Sequence, residues 1–579
     1  KSLLLFLMAL LIVFNVNASY LRNVPQKLVQ PNGKIVNCYA TGDEYYHWLH
    51  DENGFTIVQN HQTGYFCYAV LSNDELIPSQ YVVGDVSPST VGLTPKTNIS
   101  PKKMGEIREK FLGMEKTFMI QNTKKNSELP KVNTTGTLNN IVIYIRFKGE
   151  AEYSTSQATY TQMFNSTAMG DVSQHNYFNE VSYGELNMNT SFYPTNDGVN
   201  ILSYQDSHPR EYFMKYDATT NPQGYPESEV ASREHTLLQA AVNSVKSQIS
   251  ADLNIDNDVD GYVDNVCFIV QGSSEGWSDL LWPHMWSLDT KDKYAYINGI
   301  QVWDYNFQLQ NDLDVSVLCH EMFHTLGAPD LYHYTNGTPD PVGSWDIMNN
   351  NLPIPQHMTQ YMKWRYGKWI DNIPEITTSG DYTLNPVFTK EKNCWKVKSP
   401  FSATEYFVIE YRKKEKTDAG LPNEGLLIYR INTKADGLGN ADGPPDELYV
   451  YRPDGSTTAT GSLSTAPFSA NLNKTSFSDL TNPAAFLSNG GITGLNISNI
   501  SATGATMSFH VDILNKKNND IAVTKIITPV SSSSLTSSEK IKVNVSNLGI
   551  NTISSGIKVN YTINGGSVVS EDFSGTLTS

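Results

Sequence analysis

The stretch Asp314-Val-Ser-Val-Leu-Cys-His320-Glu321-Met-Phe-His324-Thr-Leu-Gly327-Ala-Pro-Asp330 limits what this chain can be more than any other. It reads as a helix with Asp314 as N-cap, closed at Gly327 with Pro329 just beyond. His320 and His324 are four residues apart, so both imidazoles stand on one face, one above the other, where they can share a metal ion. Glu321 lies one step round the helix from His320. Its carboxylate falls beside such an ion rather than on it, within reach of an attacking water.

Two imidazoles do not complete a catalytic zinc site, which needs three protein ligands and an open position. Gly327 lets the chain leave the helix at positive φ, so that Asp330, six past the second histidine, can turn back toward the ion. The result is H-E-x-x-H-x-x-G-x-x-D, the long metzincin zinc motif with an acid where a third His is commoner. A carboxylate is an acceptable zinc ligand, so the change alters charge without removing a ligand. A bare H-E-x-x-H arises by accident in roughly one chain of this length in a hundred, and the added Gly and acid lower that by a further factor of about a hundred. Ser344-Trp345-Asp346-Ile347-Met348 follows, and Met348 stands where metzincins have their Met-turn. Two rivals exist for the third ligand. His333 has the wrong offset for the metzincin turn, and Glu375 would make a thermolysin-like site.

The motif and its surroundings resemble the immune inhibitor A family of secreted bacterial metallopeptidases. The matching pieces are HEMFHTLGAPDLY, GSWDIM, LWPHMWSL at 281–288 and DVDGYVDNV at 258–266. Upstream lies CYATGDEYYHWLHDENGFTI; downstream lie AGLPNEGLLIYRIN and GPPDELYVYRPDG. The resemblance covers most of residues 30–512 and implies peptide bonds as the substrate. Without it, the same chemistry would serve a zinc hydrolase acting on a glycan or an ester. An inactive peptidase fold kept for binding is the other alternative, and the intact Glu321 argues against it.

At 579 residues the chain is long enough for several domains, and its 39% hydrophobic and 17% charged content is that of a folded protein. A net charge of −17 argues against nucleic acid and against anionic membrane surfaces as partners. Five scattered cysteines cannot form a dense disulfide framework.

The expected fold is multidomain: an α+β metzincin-like catalytic domain, preceded by a propeptide and followed by a β-sandwich and a partial immunoglobulin-like domain. Residues 1–18 read as a signal peptide: Lys1, an apolar run from Leu3 to Phe14, then Val16-Asn17-Ala18 as a cleavage site. That run is too short for a membrane anchor, and no later segment could be inserted in a bilayer. The sequence opens without Met, so a slightly longer N-terminus is expected. The protein is read as secreted.

Residues 19–135 are read as a propeptide, with short strands, tight turns and a Lys-rich stretch from Pro101 to Lys131 as a cleavable linker. A latent precursor activated by cleavage near residues 120–135 is the expectation. Asp43 in ATGDE and Cys38 in NCYATG are both candidates for the residue that blocks the zinc. Pairing of Cys38 with Cys67, or plain burial of both, is the alternative.

Residues 136–370 form the expected catalytic domain. It starts at the strand-like run from Asn139, continues through a helix from Glu234 to Ile249, and ends in a helix from Pro355 to Ile370. Asn298-Gly299 marks a hairpin whose strand could hold extended substrate. Asp256, Asp258, Asp260 and Asp264, with Gly261 at position 6, fit an EF-hand-like calcium loop, although Cys267 replaces the usual position-12 Glu. A solvated acidic turn is the alternative. His284 is read as a structural core His or a cleft-lining residue, and Cys319 as buried filler. Tyr332 and Tyr334 are candidates for steadying the oxyanion.

Residues 371–513 alternate as strands of a β-sandwich, with a packing or substrate-docking role. Residues 519–579 resemble the start of an immunoglobulin-like adhesion module, through which the chain could attach to a cell surface. The pattern looks cut off at Ser579, so a continuation is expected.

Overall fold

A computed structural model of the chain describes residues 21–43, 45–108, 132–218, 221–273, 280–288, 290, 293–334, 339–514, 517–529, 534–536 and 538–578. The signal peptide expected at 1–18 lies outside the described residues, as does most of the expected linker.

The first unit is a six-stranded antiparallel sheet in sequential order, from Leu21–Val29 to Glu75–Val82. Alternation along Ile35–Gly42 sends Val36 and Cys38 into a small core with Leu28, Phe55, Ile57, Tyr68 and Val83. Cys38 and Cys67 are both free and buried, not paired. A helical stretch at 101–108 follows.

The sheet behind the metal motif runs in the order His284–Ser287, Asp304–Leu309, Val266–Val270, Gly136–Arg146, Leu186–Tyr193. All its neighbours are parallel except the edge strand His284–Ser287, which is antiparallel to Asp304–Leu309. Strands covered on both faces are apolar throughout, which explains the unbroken hydrophobic run Ile141 to Ile145. Ile141, Ile143 and Ile145 face the helix Val230–Val245, packing on Leu237, Leu238, Ala241 and Val242. Val142 and Tyr144 point the other way and share a core with Leu318 of the motif helix.

A buried amide cluster ties that helix to the sheet. Asn265 Nδ2 donates to Asn140 Oδ1 at 2.7 Å, and Asn306 Nδ2 donates to Thr325 Oγ1 at 3.3 Å. Unpaired polar groups here would be costly, so the cluster selects one register of helix against sheet.

The Asn298-Gly299 hairpin forms, with both residues at positive φ. Its second strand, Ile300–Val302, also pairs with Tyr262–Val263 in a separate three-stranded sheet. The strand bordering the cleft is His284–Ser287 instead. The expected helix from Pro355 to Ile370 shrinks to Gln360–Met362 and a π-turn over Lys363–Gly367. Two distant carboxylates claim its first amides: Asp346 accepts from Thr359 N at 2.7 Å and Glu410 from Gln360 N at 2.8 Å.

Residues 380–513 contain two four-stranded antiparallel sheets. One holds Cys394–Lys398, Glu405–Arg412, Gly425–Asn432 and Leu448–Val450; the other holds Gly380–Leu384, Met507–Ile513, Leu495–Ser498 and Phe477–Ser478. Phe407, Ile409 and Ile428 of the first share a core with Ile497, Phe509 and Val511 of the second. The opposite face of the first sheet continues the core under the motif helix, since Val408, Leu427, Tyr429 and Val450 pack in one cluster with Met322, Phe323, Trp345 and Met348. Buried Arg412 fastens this junction, donating to Trp345 O, His357 O and the Asp418 carboxylate. Beyond 514 the described residues form two hairpins, Ile521–Thr528 with Lys542–Asn547 and Ile557–Tyr561 with Val569–Phe573.

Candidate metal centre

The helix Val315–Thr325 is capped at both ends by local chemistry. Asp314 Oδ1 accepts from Val317 N at 2.9 Å. At the other end Ala328 N donates to Phe323 O at 3.0 Å and Gly327 N to His324 O at 2.7 Å, a Schellman closure. Gly327 has φ +95°, where a side chain would be strained. The chain therefore turns back under the helix and brings Asp330 beneath the two histidines.

Asp330 Oδ1 lies 3.3 Å from His320 Nε2 and 3.3 Å from His324 Nε2. The two Nε2 atoms are 3.1 Å apart. Each ring is oriented by its other nitrogen: His320 Nδ1 donates to Ile347 O and His324 Nδ1 to Ala328 O, both at 2.8 Å. A carbonyl only accepts, so both neutral rings carry their proton on Nδ1 and present a lone pair at Nε2. Three acceptors thus converge in a buried spot and would repel one another without positive charge between them. Asp330 Oδ1 has no donor in hydrogen-bond geometry among the described residues. Without a metal a proton fills that role: burial works against charge on His324, but the Asp330 carboxylate outweighs it and raises the His324 pKa to about 10. The donor set, spacing and orphaned oxygen suit a divalent metal, and carbonyl groups orienting ligand imidazoles are typical of metal sites.

Glu321 stands beside this group, 2% exposed, and its Oε1 has no hydrogen-bond partner among the described residues. It lines a cavity of about 210 Å³ with His324, Asp330, His284, Tyr334, Leu438 and Ala441. Met348 is fully buried, and its turn holds the site from below: Ile347 O fixes His320, while Met348 O accepts from Leu331 N at 2.8 Å.

The rival ligands are elsewhere. His333 Nε2 is 2.6 Å from Asp446 Oδ1, and Glu375 pairs with Lys398 at 2.9 Å. Tyr334 donates its hydroxyl to Asp330 Oδ2, so it orients that carboxylate. Tyr332 is buried beside it, the two rings 5.1 Å apart. Cys319 is core filler, and His284 is both structural and cleft-lining. His284 Nδ1 donates to Trp282 O at 2.7 Å and Nε2 lies 3.0 Å from Glu234 Oε1.

Of the two blocking candidates only Asp43 lies near the centre. It is fully buried, its Oδ1 accepts from Tyr45 N and Tyr46 N, and its Oδ2 has no hydrogen-bond partner among the described residues. Burial, with the Asp330 charge adding to it, pushes its carboxyl up to about 7. Cys38 sits in the separate core of the first unit, where burial raises its thiol to about 12. Tyr45 and Arg108 of the first unit also line the cavity, Arg108 lying 4.2 Å over the Tyr334 ring and pairing with Asp442. No sequence signal marked either residue, because their partners are hundreds of positions away.

Asp256, Asp258 and Asp260 form a second carboxylate group, with oxygens within 4.8 Å of one another. Asp264 accepts from Asn257 N, and the charges of the other three bear on its carboxyl.

Residues 243–356 match the family model described as immune inhibitor A peptidase M6, catalytic domain. The match is narrower than the resemblance read from the sequence, but it spans the acidic loop, the motif helix, Asp330 and Met348. Comparison with curated proteins gives no match.

Proposed function

We propose, from the premise that this chain carries an immune inhibitor A-type metallopeptidase domain and so hydrolyses peptide bonds, that it is a secreted zinc endopeptidase made as a latent precursor. The observation that carries the zinc reading is the convergence of two imidazole lone pairs and one carboxylate oxygen, with Glu321 Oε1 idle beside them. A metalloprotease of this family takes a metal, generally zinc, and its substrates are proteins and peptides.

When bound, zinc supplies a Lewis acid that acidifies water and polarises the scissile carbonyl. Glu321 acts as general base, taking the proton of the attacking water on Oε1 and returning it to the leaving amine. His320, His324 and Asp330 would hold the ion, on rings and a carboxylate fixed by Ile347 O, Ala328 O and the Tyr334 hydroxyl. The mixed sheet with one antiparallel edge strand above the helix suits a metzincin-like fold, with Met348 as the Met-turn. The edge strand His284–Ser287 is the natural rail for extended substrate. Processed protein should digest casein, and a zinc chelator should abolish this with recovery on zinc addition. Digestion that survives complete zinc removal contradicts the reading.

The latency reading rests on the first unit. Its sheet seats His47 on Trp282 with ring centroids 4.5 Å apart and brings the Asp43 carboxylate close enough for the Asp330 charge to bear on it. In this reading the Asp43 carboxylate would occupy the metal site's remaining coordination capacity until residues 19–135 are cleaved away. Asp43→Ala should raise the activity of uncleaved precursor by about 10- to 150-fold, the effect of losing a charged contact of about 1.5–3 kcal/mol. An uncleaved wild-type precursor already as active as the processed form refutes latency.

The trio Asp256, Asp258 and Asp260 would hold a structural calcium ion. Burial first, then the charges of its neighbours, raise Asp258, and Asp264 rises to about 6 for the same reasons, strain a cation would relieve. Withdrawing calcium while zinc is kept in excess should lower Tm, by the equivalent of about 2.7 kcal/mol from a hundredfold excess over Kd. An unchanged Tm counts against the site. No helix among the described residues is long and apolar enough to cross a membrane. The hairpins beyond 519 are proposed as the start of a surface-attachment module.

A further inference from the structure

The β-rich segment was expected only to pack or to dock substrate, yet its loop between Asp436 and Glu447 reaches the metal centre. Asn440 N donates to the main-chain oxygen of Asp330 at 2.9 Å. The Asn440 side chain, fully buried, donates to Leu331 O at 2.9 Å and to Leu448 O at 2.8 Å, and accepts from Leu448 N at 3.1 Å. It therefore ties the residue after Asp330 to the sandwich strand Leu448–Val450. Next to it, a Cβ on Gly439 would come within 2.2 Å of Asp330 O, and φ there is +64°. Gly439 N in turn donates to Glu447 Oε2 at 2.7 Å. On the other side, Tyr334 N donates to Ala441 O at 3.1 Å, so the residue whose hydroxyl meets Asp330 is held by the same loop.

These contacts share one property. Asp330 sits past the helix end, in a turn with no regular hydrogen-bond ladder of its own, so something must fix its main chain. The helix cap and His324 hold the start of the turn at 327–328, and Met348 O holds Leu331 N; the Asp330 oxygen, the Leu331 oxygen and the Tyr334 amide are all met by 440–441. A metal ligand on a loop is only as precise as the groups behind it.

We infer that Asn440 is a positioning residue of the metal centre: the β-rich segment sets where the Asp330 carboxylate stands, and metal binding and the 436–447 loop are energetically coupled. The inference rests on the metal reading proposed above.

The test uses the full chain and zinc alone as the probe. Asn440→Ala should weaken zinc binding about 10- to 100-fold in chelator competition, with peptidase activity of the processed protein recovering at saturating zinc. Asn393→Ala serves as a control: Asn393 is another buried amide of the same segment, bonded to Thr389 O and the Tyr183 hydroxyl. It should lower Tm of the metal-free protein without changing zinc affinity. Should Asn440→Ala not fold, hydrogen exchange on the unmutated protein decides: withdrawing zinc should speed exchange in 436–447 but not in the distant strands of the second sheet. Zinc affinity equal in Asn440→Ala and wild type, or exchange in 436–447 indifferent to zinc, overturns the inference. A wild-type protein that binds no zinc would instead overturn the proposed function, so the two failures are told apart.

Discussion

Glu321→Gln should lower peptide hydrolysis by about 10²- to 10⁴-fold while leaving zinc content and Tm near those of the wild type. The substitution keeps the size and the acceptor Oε1 but removes basicity, which is the only property the proposed step uses. Glu321 is not among the group that could hold the ion, so the metal should stay. Its Oε1 lies buried without a hydrogen-bond partner among the described residues, so no structural bond of that oxygen is lost and the fold should stay too. A buried carboxylate kept idle costs stability, and sites that tolerate such a cost are commonly functional. Metal analysis, calorimetry and kcat/KM on one peptide together check this. Retention of more than about a tenth of wild-type kcat/KM would remove Glu321 from the role of base.

His324→Ala should cost the metal itself. It deletes one of three convergent acceptors and leaves His320 and Asp330 to hold the ion alone, so zinc affinity should fall by well over the roughly 100-fold that loss of a mere supporting group produces. The lost ring also frees Ala328 O, the anchor of the turn that carries Asp330. Zinc withdrawal in the wild type should mimic the variant in activity but not in this local loosening. Zinc content after dialysis is the readout, and a fully loaded variant would show that the ion is held elsewhere.

How much of this was legible in the sequence depended on the range of the interactions. The motif helix and its exit were legible because their causes are local: Asp314 caps its own helix, and Gly327 supplies the positive φ that returns Asp330 to the two rings. The Asn298-Gly299 turn was legible for the same reason. The helix expected from Glu234 begins at Val230 instead, where no Ser, Thr or Asp cap marks the start and burial of Val230 in the core takes over. The expected helix from Pro355 lost its first turn to carboxylates on Asp346 and Glu410, which no periodicity reveals. The acidic loop was legible as a run of carboxylates, but which oxygens gather most closely, those of Asp256, Asp258 and Asp260, was not, since spacing does not say which way a side chain turns. Least legible were the groups that finish the cleft from afar. Arg108 and Tyr45 come from the first unit, Leu438 and Ala441 from the β-rich segment, and each meets the centre only after the whole chain has folded.

The most direct measurement is an anomalous-scattering map at the zinc absorption edge from crystals grown with zinc. The account predicts one peak about 2.0–2.2 Å from His320 Nε2, His324 Nε2 and a carboxylate oxygen of Asp330, with Asp43 approaching the remaining corner in uncleaved protein. A peak that excludes Asp330, or a third protein ligand drawn from anywhere else in the chain, would contradict it.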